Sequence, residues 1–315
     1  MKVGKGRTSH TRAGSRFDRK RLQRAVQGIR GRVTFGAALR VYTSFKIGGP
    51  ADVLVEPADI DDVRRLAMQA HSEKIPVFVV GGTNLLIRDG GIRGIVVSLS
   101  ALRAIHEEPG AVVYAEGGVG MPTLIGYAIR RSMAGLEWAA GIPGTVGGCL
   151  VMNAGTRLGE MKDAVKAVRV VTTKGDLKNL PAAAIRFRYR RAHLPAGLVV
   201  GVWFQLRRGI GPDIARIVKD YLHYRKDTQP LTMPSAGCVF KNPVRDSAGR
   251  LVESAGLKGL RIGDAEVSTK HGNFIVNRGH ATAADVIDLI KEVRRIIKQK
   301  TGVRLELELK IVGEA

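Results

Sequence analysis

The chain of 315 residues is 44% apolar and 25% charged, ordinary proportions for a globular protein of two or three domains. Its 51 Lys and Arg against 28 Asp and Glu give a formal charge of +23, which admits nucleic acid as a partner through counterion release. Aromatics at 5% leave few stacking platforms for single strands, and steering of a phosphorylated, carboxylated small molecule accounts for the charge without them.

Residues 1 to about 28 carry nine cations, Lys2, Lys5, Arg7, Arg12, Arg16, Arg19, Lys20, Arg21 and Arg24, against Asp18 alone. Their composition predicts a solvated, disordered tail, with a basic arm for nucleic acid or anionic lipid as the alternative. A first glycine motif, T-S-F-K-I-G-G-P-A-D, follows at Thr43 to Asp52. The spacing of Ile60, Val63, Leu66, Ala67 and Ala70 predicts a helix capped by Asp59, with Asp61 and Asp62 near its positive end. An apolar strand from Pro76 to Val80 leads into V-G-G-T-N-L-L at Val80 to Leu86, and Gly94 to Leu99 is a second strand, so this lobe reads as α/β. Pro109-Gly110 reads as a turn before a strand at Ala111 to Ala115. Pro122 suits the first turn of a helix running to about Ser132 that Gly135 can end.

Ala140 to Gly155, A-G-I-P-G-T-V-G-G-C-L-V-M-N-A-G, packs five glycines and a proline into one run. Glycine lets the main chain take positive φ and lie against a ligand, and clustered N–H groups in such turns hold anions. One such run is equally a buried corner between strands. Two strand-to-loop elements in one chain favour a dinucleotide pyrophosphate as the guest. Neither run fits G-x-G-x-x-G opening a long helix, which excludes the nicotinamide-binding Rossmann fingerprint. The uncharged stretch Trp138 to Thr156 is long enough to cross a bilayer, but its glycines, Pro143 and Asn153 do not suit a spanning helix.

Strands are expected at Val165 to Thr173 and Leu198 to Leu206, bracketing the basic segment Arg186 to Arg191, and a helix from Pro212 to about Arg225. The final third contains P-S-A-G-C-V-F-K-N-P at Pro234 to Pro243. An amphipathic helix follows, with Val286, Leu289, Ile290, Val293, Ile296 and Ile297 on one face and Thr282 to cap it. The last strand, Val303 to Val312, places Glu306 and Glu308 on one face. Cys149 and Cys238 are too few for a disulfide framework, and no charged-then-apolar leader opens the sequence, so the expected compartment is the cytoplasm. The seven scattered histidines and the two cysteines show no metal-ligand spacing, so no metal is expected.

The three glycine motifs in this order, with matches downstream, resemble the UDP-N-acetylenolpyruvoylglucosamine reductase family over roughly Val33 to Gly313. The resemblance implies an α+β protein: an FAD-binding domain of the vanillyl-alcohol-oxidase (PCMH) type at 29–208, in two α/β lobes of about 29–100 and 101–208, and a C-terminal α+β substrate-binding domain at 209–315. The last strand, about 303–313, is a candidate to return to the first lobe. It also implies non-covalent FAD, held by Gly81, Gly82, Thr83, Asn84, Leu85, Gly141, Ile142, Pro143, Gly144, Gly147, Asn153, Ala154 and Gly155, and NADPH as hydride donor.

The family reduces the enolpyruvyl ether of UDP-N-acetylglucosamine to UDP-N-acetylmuramate in peptidoglycan precursor synthesis. Carried over by motif, Arg190 of F-R-Y-R-R-A would meet the substrate carboxylate, Cys238 of A-G-C-V-F-K-N-P would donate the proton, and Glu308 of L-E-L-E-L-K would help hold the enolate. A thiol with a reference pKa of about 8.5 keeps its proton at neutral pH. Tyr189, Arg225, Lys226, Lys241 and Asn242 are the candidates for the substrate and its uridine diphosphate. Many members have Ser where this chain has Cys238, and Ala192 stands where Ser commonly follows the Tyr-Arg signature. The segment from Arg190 to Trp203 has no room for the tyrosine-bearing loop of one subtype, so the chain resembles the shorter type II form. Taken singly, Arg190 is a surface cation, Glu308 an edge residue and Cys238 a small buried side chain. Two further readings remain open at this stage: another FAD-dependent oxidoreductase of the same cofactor fold, and a basic nucleic-acid-binding protein.

Overall fold

The structure, a computed structural model, describes residues 17–315. Helix α1 (Arg19–Ala25) opens them, capped by Asp18, whose side chain accepts from the Lys20 N–H. Leu22, Ala25 and Val26, three and four residues apart, are buried against Val63, Leu66 and Ala70 of helix α2 (Ile60–Ser72), and Arg24 makes a two-point ion pair with Glu73 at 2.8 and 3.0 Å. The expected tail therefore does not extend to residue 28. The cations of α1 lie at exposed or half-buried positions, while a few apolar side chains at helical spacing suffice to cover α2. The rest of that expectation, residues 1–16, lies outside the described residues.

In the first lobe, β1 (Arg32–Phe35), β2 (Ala51–Glu56), β3 (Val77–Val80) and β5 (Ile92–Ser98) form one sheet in the order β1-β2-β5-β3, with the last three parallel. The apolar run of β5 is buried nearly throughout, as a central parallel strand requires. Helix α2 covers this sheet, and Asp59 caps it by accepting from the Asp62 N–H. β4 (Leu85–Ile87) lies outside that sheet.

The second lobe is an antiparallel sheet of five strands, β9-β8-β12-β7-β6, built from β6 (Ile105–Glu108), β7 (Val112–Glu116), β8 (Val165–Thr172), β9 (Leu177–Pro181) and β12 (Gly197–Gln205). Helices α3 (Met121–Arg130) and α4 (Val146–Val151) pack on it around Met121, Leu124, Val202 and Phe204. Gly135 does not end α3. The chain already turns at Ser132, which takes the left-handed conformation at φ 52°. Between β9 and β12 the basic segment folds into a hairpin, β10 (Arg186–Arg188) and β11 (Arg191–His193). Helix α5 (Gly211–Thr228), which runs one residue before and three beyond the expected Pro212 to Arg225, then leads to the last third.

There β13 (Ser235–Cys238), β14 (Arg261–Ile262), β15 (Ala265–Val267) and β16 (Phe274–Asn277) form a sheet in the order β13-β16-β15-β14. It is backed by α6 (Ala248–Ser254) and α7 (Ala283–Thr301), the latter held by a capping box of Thr282 and Asp285. The core of this third includes Phe45, Ile47 and Leu86 of the first lobe. Asp89 adds a second tie, accepting from the Ala283 and Ala284 N–H groups at 2.9 and 3.1 Å. The expected long last strand is mostly extended chain outside any ladder. Leu307 bridges to Phe240, and only β17 (Lys310–Val312) pairs, in parallel, with β4. Among the described residues no helix is long and apolar enough to cross a membrane.

Packing of α1 on α2 yields a direct test. Leu22→Ala, which empties a 4%-exposed site, is expected to cost about 2 kcal/mol or more, read as a lower urea midpoint at unchanged slope. A change within about 0.5 kcal/mol, the usual scatter of surface substitutions, would return residues 19–28 to the tail.

Candidate active site

A cleft of about 580 Å³ runs between the two lobes, floored by main chain from the loops after β3 and β7 and from the start of α4. The Gly81 carbonyl accepts from the Thr145 N–H at 3.0 Å and the Gly117 carbonyl from the Gly147 N–H at 2.9 Å, so the glycine loops lie directly on one another. A Cβ on Gly148 would stand 3.0 Å from the Gly81 oxygen and 3.1 Å from the Gly82 main chain, so any other residue would have to push the two loops apart. Gly82 is the opposite case: a Cβ would meet nothing within 4 Å and would project into the open cleft. Apolar side chains line the walls, including Val79 and Val151, which are 39% and 37% exposed. Asn84 lines the same cleft, and its Oδ1 is buried and without a partner. Volume, apolar walls, close-packed main chain and an unused buried acceptor together fit a flavin dinucleotide.

Arg190 reaches the far side of this region from the tip of the β10–β11 hairpin. Arg188 and Arg191 form the last register pair, so Tyr189 and Arg190 make a two-residue turn, and Arg190 takes φ 56°. Its guanidinium lies over the Tyr189 ring at 4.8 Å and its Nε donates to Glu308 Oε1 at 2.8 Å. Glu308 is pinned by its own backbone, its N–H donating to the Val239 carbonyl at 2.9 Å while its carbonyl accepts from Asn84 Nδ2 at 2.8 Å. Burial raises the Glu308 carboxyl above the ordinary range, an effect that Arg190 only partly offsets. Burial pulls Arg190 down, but Glu308 outweighs it and leaves the guanidinium above its usual value.

Cys238 ends β13, where Gly237 at φ 75° breaks the pairing register with β16 and re-aims the following side chain. Burial, reinforced by Glu308 and opposed by Arg190 and Arg225, pushes its thiol up to about 12. The segment is held by Asn273, whose carbonyl accepts from Val239 N–H at 2.9 Å and whose amide brackets Phe240, accepting from its N–H at 2.9 Å and donating to its carbonyl at 2.8 Å. Arg225 donates through Nη2 to Gln229 at 2.9 Å, keeps a buried Nε without a partner, and is pulled down by burial.

Of the other expected residues, Gly81, Gly82, Asn84, Leu85 and Gly147 line the cleft. The Thr83 carbonyl instead accepts from Ser44 Oγ at 3.1 Å, tying the first glycine motif to this loop. Gly141 packs on Arg225, Ile142 and Ala154 on the second-lobe core, and the Gly144 carbonyl accepts from the Met121 N–H. The Pro143 carbonyl accepts from the Cys149 thiol, and Gly155 pairs with Glu160. Asn153 is fully buried and spends its amide on Glu160, at 2.9 Å, and on the Arg188 carbonyl, at 3.1 Å, so it fixes the hairpin and does not line the cleft. Lys241 pairs with Glu306 at 3.2 Å, Asn242 accepts from the Ala248 N–H at 3.1 Å, and Lys226 is exposed. Glu306 and Glu308, expected on one face, meet different surroundings because no ladder holds this stretch flat: their side chains are 76% and 11% exposed. Ala192, where the family commonly has Ser, is buried in the second-lobe core.

Sequence reading missed Gly117 to Gly120, Thr145, Gly148 and Val199, which also line the cleft. The run G-G-V-G after the strand ending at Glu116 carried the signal, a third strand-to-glycine-loop element. Asn273 and Lys310 gave none.

A two-lobed dinucleotide cleft flanked by a part-buried Arg–Glu pair and a thiol defines an FAD-dependent oxidoreductase. Residues 51–181 match the family described as FAD binding domain, and residues 229–312 that described as UDP-N-acetylenolpyruvoylglucosamine reductase, C-terminal domain. The reductase of Caldanaerobacter subterraneus subsp. tengcongensis is 44% identical over 287 residues, covering 90% of this chain and 95% of its own. That of Syntrophus aciditrophicus is 43% identical over 304 residues, covering 95% and 96%. The crystal structure of the Thermus caldophilus enzyme superimposes with a TM-score of 0.77 at 37% identity, over 90% of this chain and 99% of that one. The chain belongs to the UDP-N-acetylenolpyruvoylglucosamine reductase family.

The open space at Gly82 gives the cofactor assignment its test. Gly82→Leu is expected to fold with a near-normal melting temperature but to purify with little flavin, read as the ratio of visible to ultraviolet absorbance. Full flavin content in that variant would move the cofactor elsewhere.

Proposed function

We propose that this protein reduces UDP-N-acetylglucosamine enolpyruvate to UDP-N-acetylmuramate, the reductive step of peptidoglycan precursor synthesis, with Arg190, Glu308 and Cys238 as its catalytic residues. FAD is the cofactor and NADPH the donor; bound FAD supplies the hydride that reaches C3 of the enol ether. The observation that carries the assignment of roles is the part-buried Arg190–Glu308 pair, which acts on Cys238 from both signs of charge.

As C3 is reduced, negative charge collects at C2 and spreads into the adjacent carboxylate. Arg190 spends Nε on Glu308, which leaves its two Nη groups to donate in parallel to that carboxylate. Held by the turn and by Glu308, the fork reorganises little as charge develops, and preorganised contacts of this kind stabilise charge effectively. Glu308, raised toward its neutral form, hydrogen-bonds to the same oxygens. Cys238 then passes its proton from Sγ to C2. A thiol pushed up to about 12 is fully protonated at neutral pH, yet it remains far more acidic than the carbon it protonates. Arg190 and Arg225 both favour the thiolate left behind, which regains a proton from solvent.

Arg225, Lys226, Lys241 and Asn242 are proposed for the uridine diphosphate, with Tyr189 over the sugar side of the site. The +23 charge then steers two polyanionic ligands, and nucleic acid is not needed to explain it. With NADPH as donor and two free cysteines, the proposed location is the cytoplasm.

The two half-reactions separate the role of Cys238 from that of the cofactor. In Cys238→Ala, bleaching of the flavin by NADPH is expected near the unmodified rate, while recovery of flavin absorbance on adding the enolpyruvyl substrate slows by about 10²- to 10⁴-fold, the usual range for a lost general acid. Cys238→Ser should regain much of this. Recovery at the unmodified rate in the alanine variant would make Cys238 a packing residue, and turnover with dioxygen alone would replace the reductase reading by an oxidase.

A further inference from the structure

Cys238 stands between two irregularities of its own strand. Upstream, the register of β13 against β16 shifts between Ser235 and Cys238, so three steps along β13 match two along β16 and one residue is left out of the ladder. Downstream the strand ends, with Cys238 and Phe274 as its last pair. A buried side chain then takes over from the ladder. Asn273, 3% exposed, accepts from the Phe240 N–H through Oδ1 at 2.9 Å and donates to the Phe240 carbonyl through Nδ2 at 2.8 Å, closing both main-chain groups of one residue as a neighbouring antiparallel strand does. Its carbonyl adds a third bond, accepting from the Val239 N–H at 2.9 Å. Asn273 is itself fixed, since its N–H donates to Nδ1 of His271 at 3.1 Å.

Val239 is the hub of this arrangement. Its N–H goes to Asn273, and its carbonyl accepts from the N–H groups of Glu308 and Leu309 at 2.9 and 3.2 Å. The residue after Cys238 therefore ties Asn273 to the backbone of the carboxylate that shares the site. An amide nitrogen carries two hydrogens, and Phe240 uses only one of those on Asn273. The Asn273 amide also acts on the Cys238 thiol by hydrogen bonding and, like Arg190 and Arg225, favours the thiolate against burial.

We propose that Asn273 is a positioning residue for proton transfer, clamping the chain on the far side of Cys238 so that its thiol is aimed at C2. The inference rests on the assignment of Cys238 as proton donor and adds the residue through which that thiol is placed. In the transfer the electron pair at C2 takes the proton from Sγ and the sulfur keeps the S–H pair. The placement of Sγ thus counts in the substrate half-reaction and not in the reduction of the flavin. Misplacing a reacting group by about 1 Å costs on the order of 10²-fold in rate, so a clamp one and two residues from the donor controls a large part of the step.

The test is a cycle of Asn273→Ala and Cys238→Ala in flavin-loaded protein, with the two half-reactions read separately. Asn273→Ala keeps the main-chain bond to Val239 and loses both bonds to Phe240, so its melting temperature falls. NADPH should still bleach its flavin near the unmodified rate, while recovery of absorbance on adding the enolpyruvyl substrate slows about 10- to 100-fold. Made in Cys238→Ala, the same change should slow that recovery by less than about 2-fold further, because the group it aims is gone. Asn273→Asp has the same shape and keeps the bond from the Phe240 N–H, and it decides the same questions if the alanine variant does not retain flavin. Losses that multiply in the double variant, equal slowing of both half-reactions, or recovery at the unmodified rate in Asn273→Ala would overturn the proposal. Failure of both Asn273 variants to hold flavin would also overturn it, by making Asn273 a residue of the fold alone. If Cys238→Ala by itself recovers at the unmodified rate, it is the assignment of Cys238 that fails, and Asn273 has no proton donor to aim.

Discussion

The ion pair between Arg190 and Glu308 joins stretches of chain 118 residues apart, and the rest of the site is arranged to hold this pair in a part-buried position. Removing one partner from a buried pair leaves the other charge uncompensated, so both segments must be held in place independently. The Arg190 side is fixed by a two-residue turn at positive φ and by Asn153, which takes the Arg188 carbonyl. The Glu308 side is fixed by main-chain bonds to Val239 and by Asn84. Asn84 also lines the cleft between the lobes, so one residue touches both that cleft and the backbone of Glu308.

This arrangement explains why the last residues of the chain return to the first lobe. Glu308 can meet Arg190 only if the extended chain after α7 crosses from its own core to β4, and the pairing of Lys310–Val312 with Leu85–Ile87 anchors that crossing. Phe45, Ile47 and Leu86 extend the C-terminal core into the first lobe, and Asp89 holds the start of α7. The parts that carry the cleft, Cys238 and Glu308 are thus packed together by the fold itself. Such preorganisation lowers the cost of stabilising charge during reaction.

Much of this was legible in the sequence. Apolar spacing and caps marked α2 and α7 because both helices bury one continuous stripe, and the apolar runs marked β3, β5, β8 and β12. Order along the chain brought Arg190, Cys238 and Glu308 forward as a set, although each alone has an ordinary structural explanation. Composition misjudged residues 19–28, where cations outnumber the few apolar side chains that anchor α1. Spacing could not show that Gly141 to Gly144 and Asn153 to Gly155 shape the loop from behind while Gly117 to Gly120 face the cleft. Glycine marks a backbone constraint without saying on which side the space lies. Asn273 was invisible for a related reason, since its partners, Val239 and Phe240, come from a distant segment.

A double-mutant cycle on Arg190 and Glu308 tests the central claim most directly, with the rate of substrate-driven recovery of flavin absorbance as the readout. If the two act as one buried unit, Arg190→Ala, Glu308→Ala and the double variant should lose similar amounts, giving a coupling of about 2 kcal/mol or more. Losses that add to within about 0.5 kcal/mol would show that the pair is two independent contacts and contradict the account.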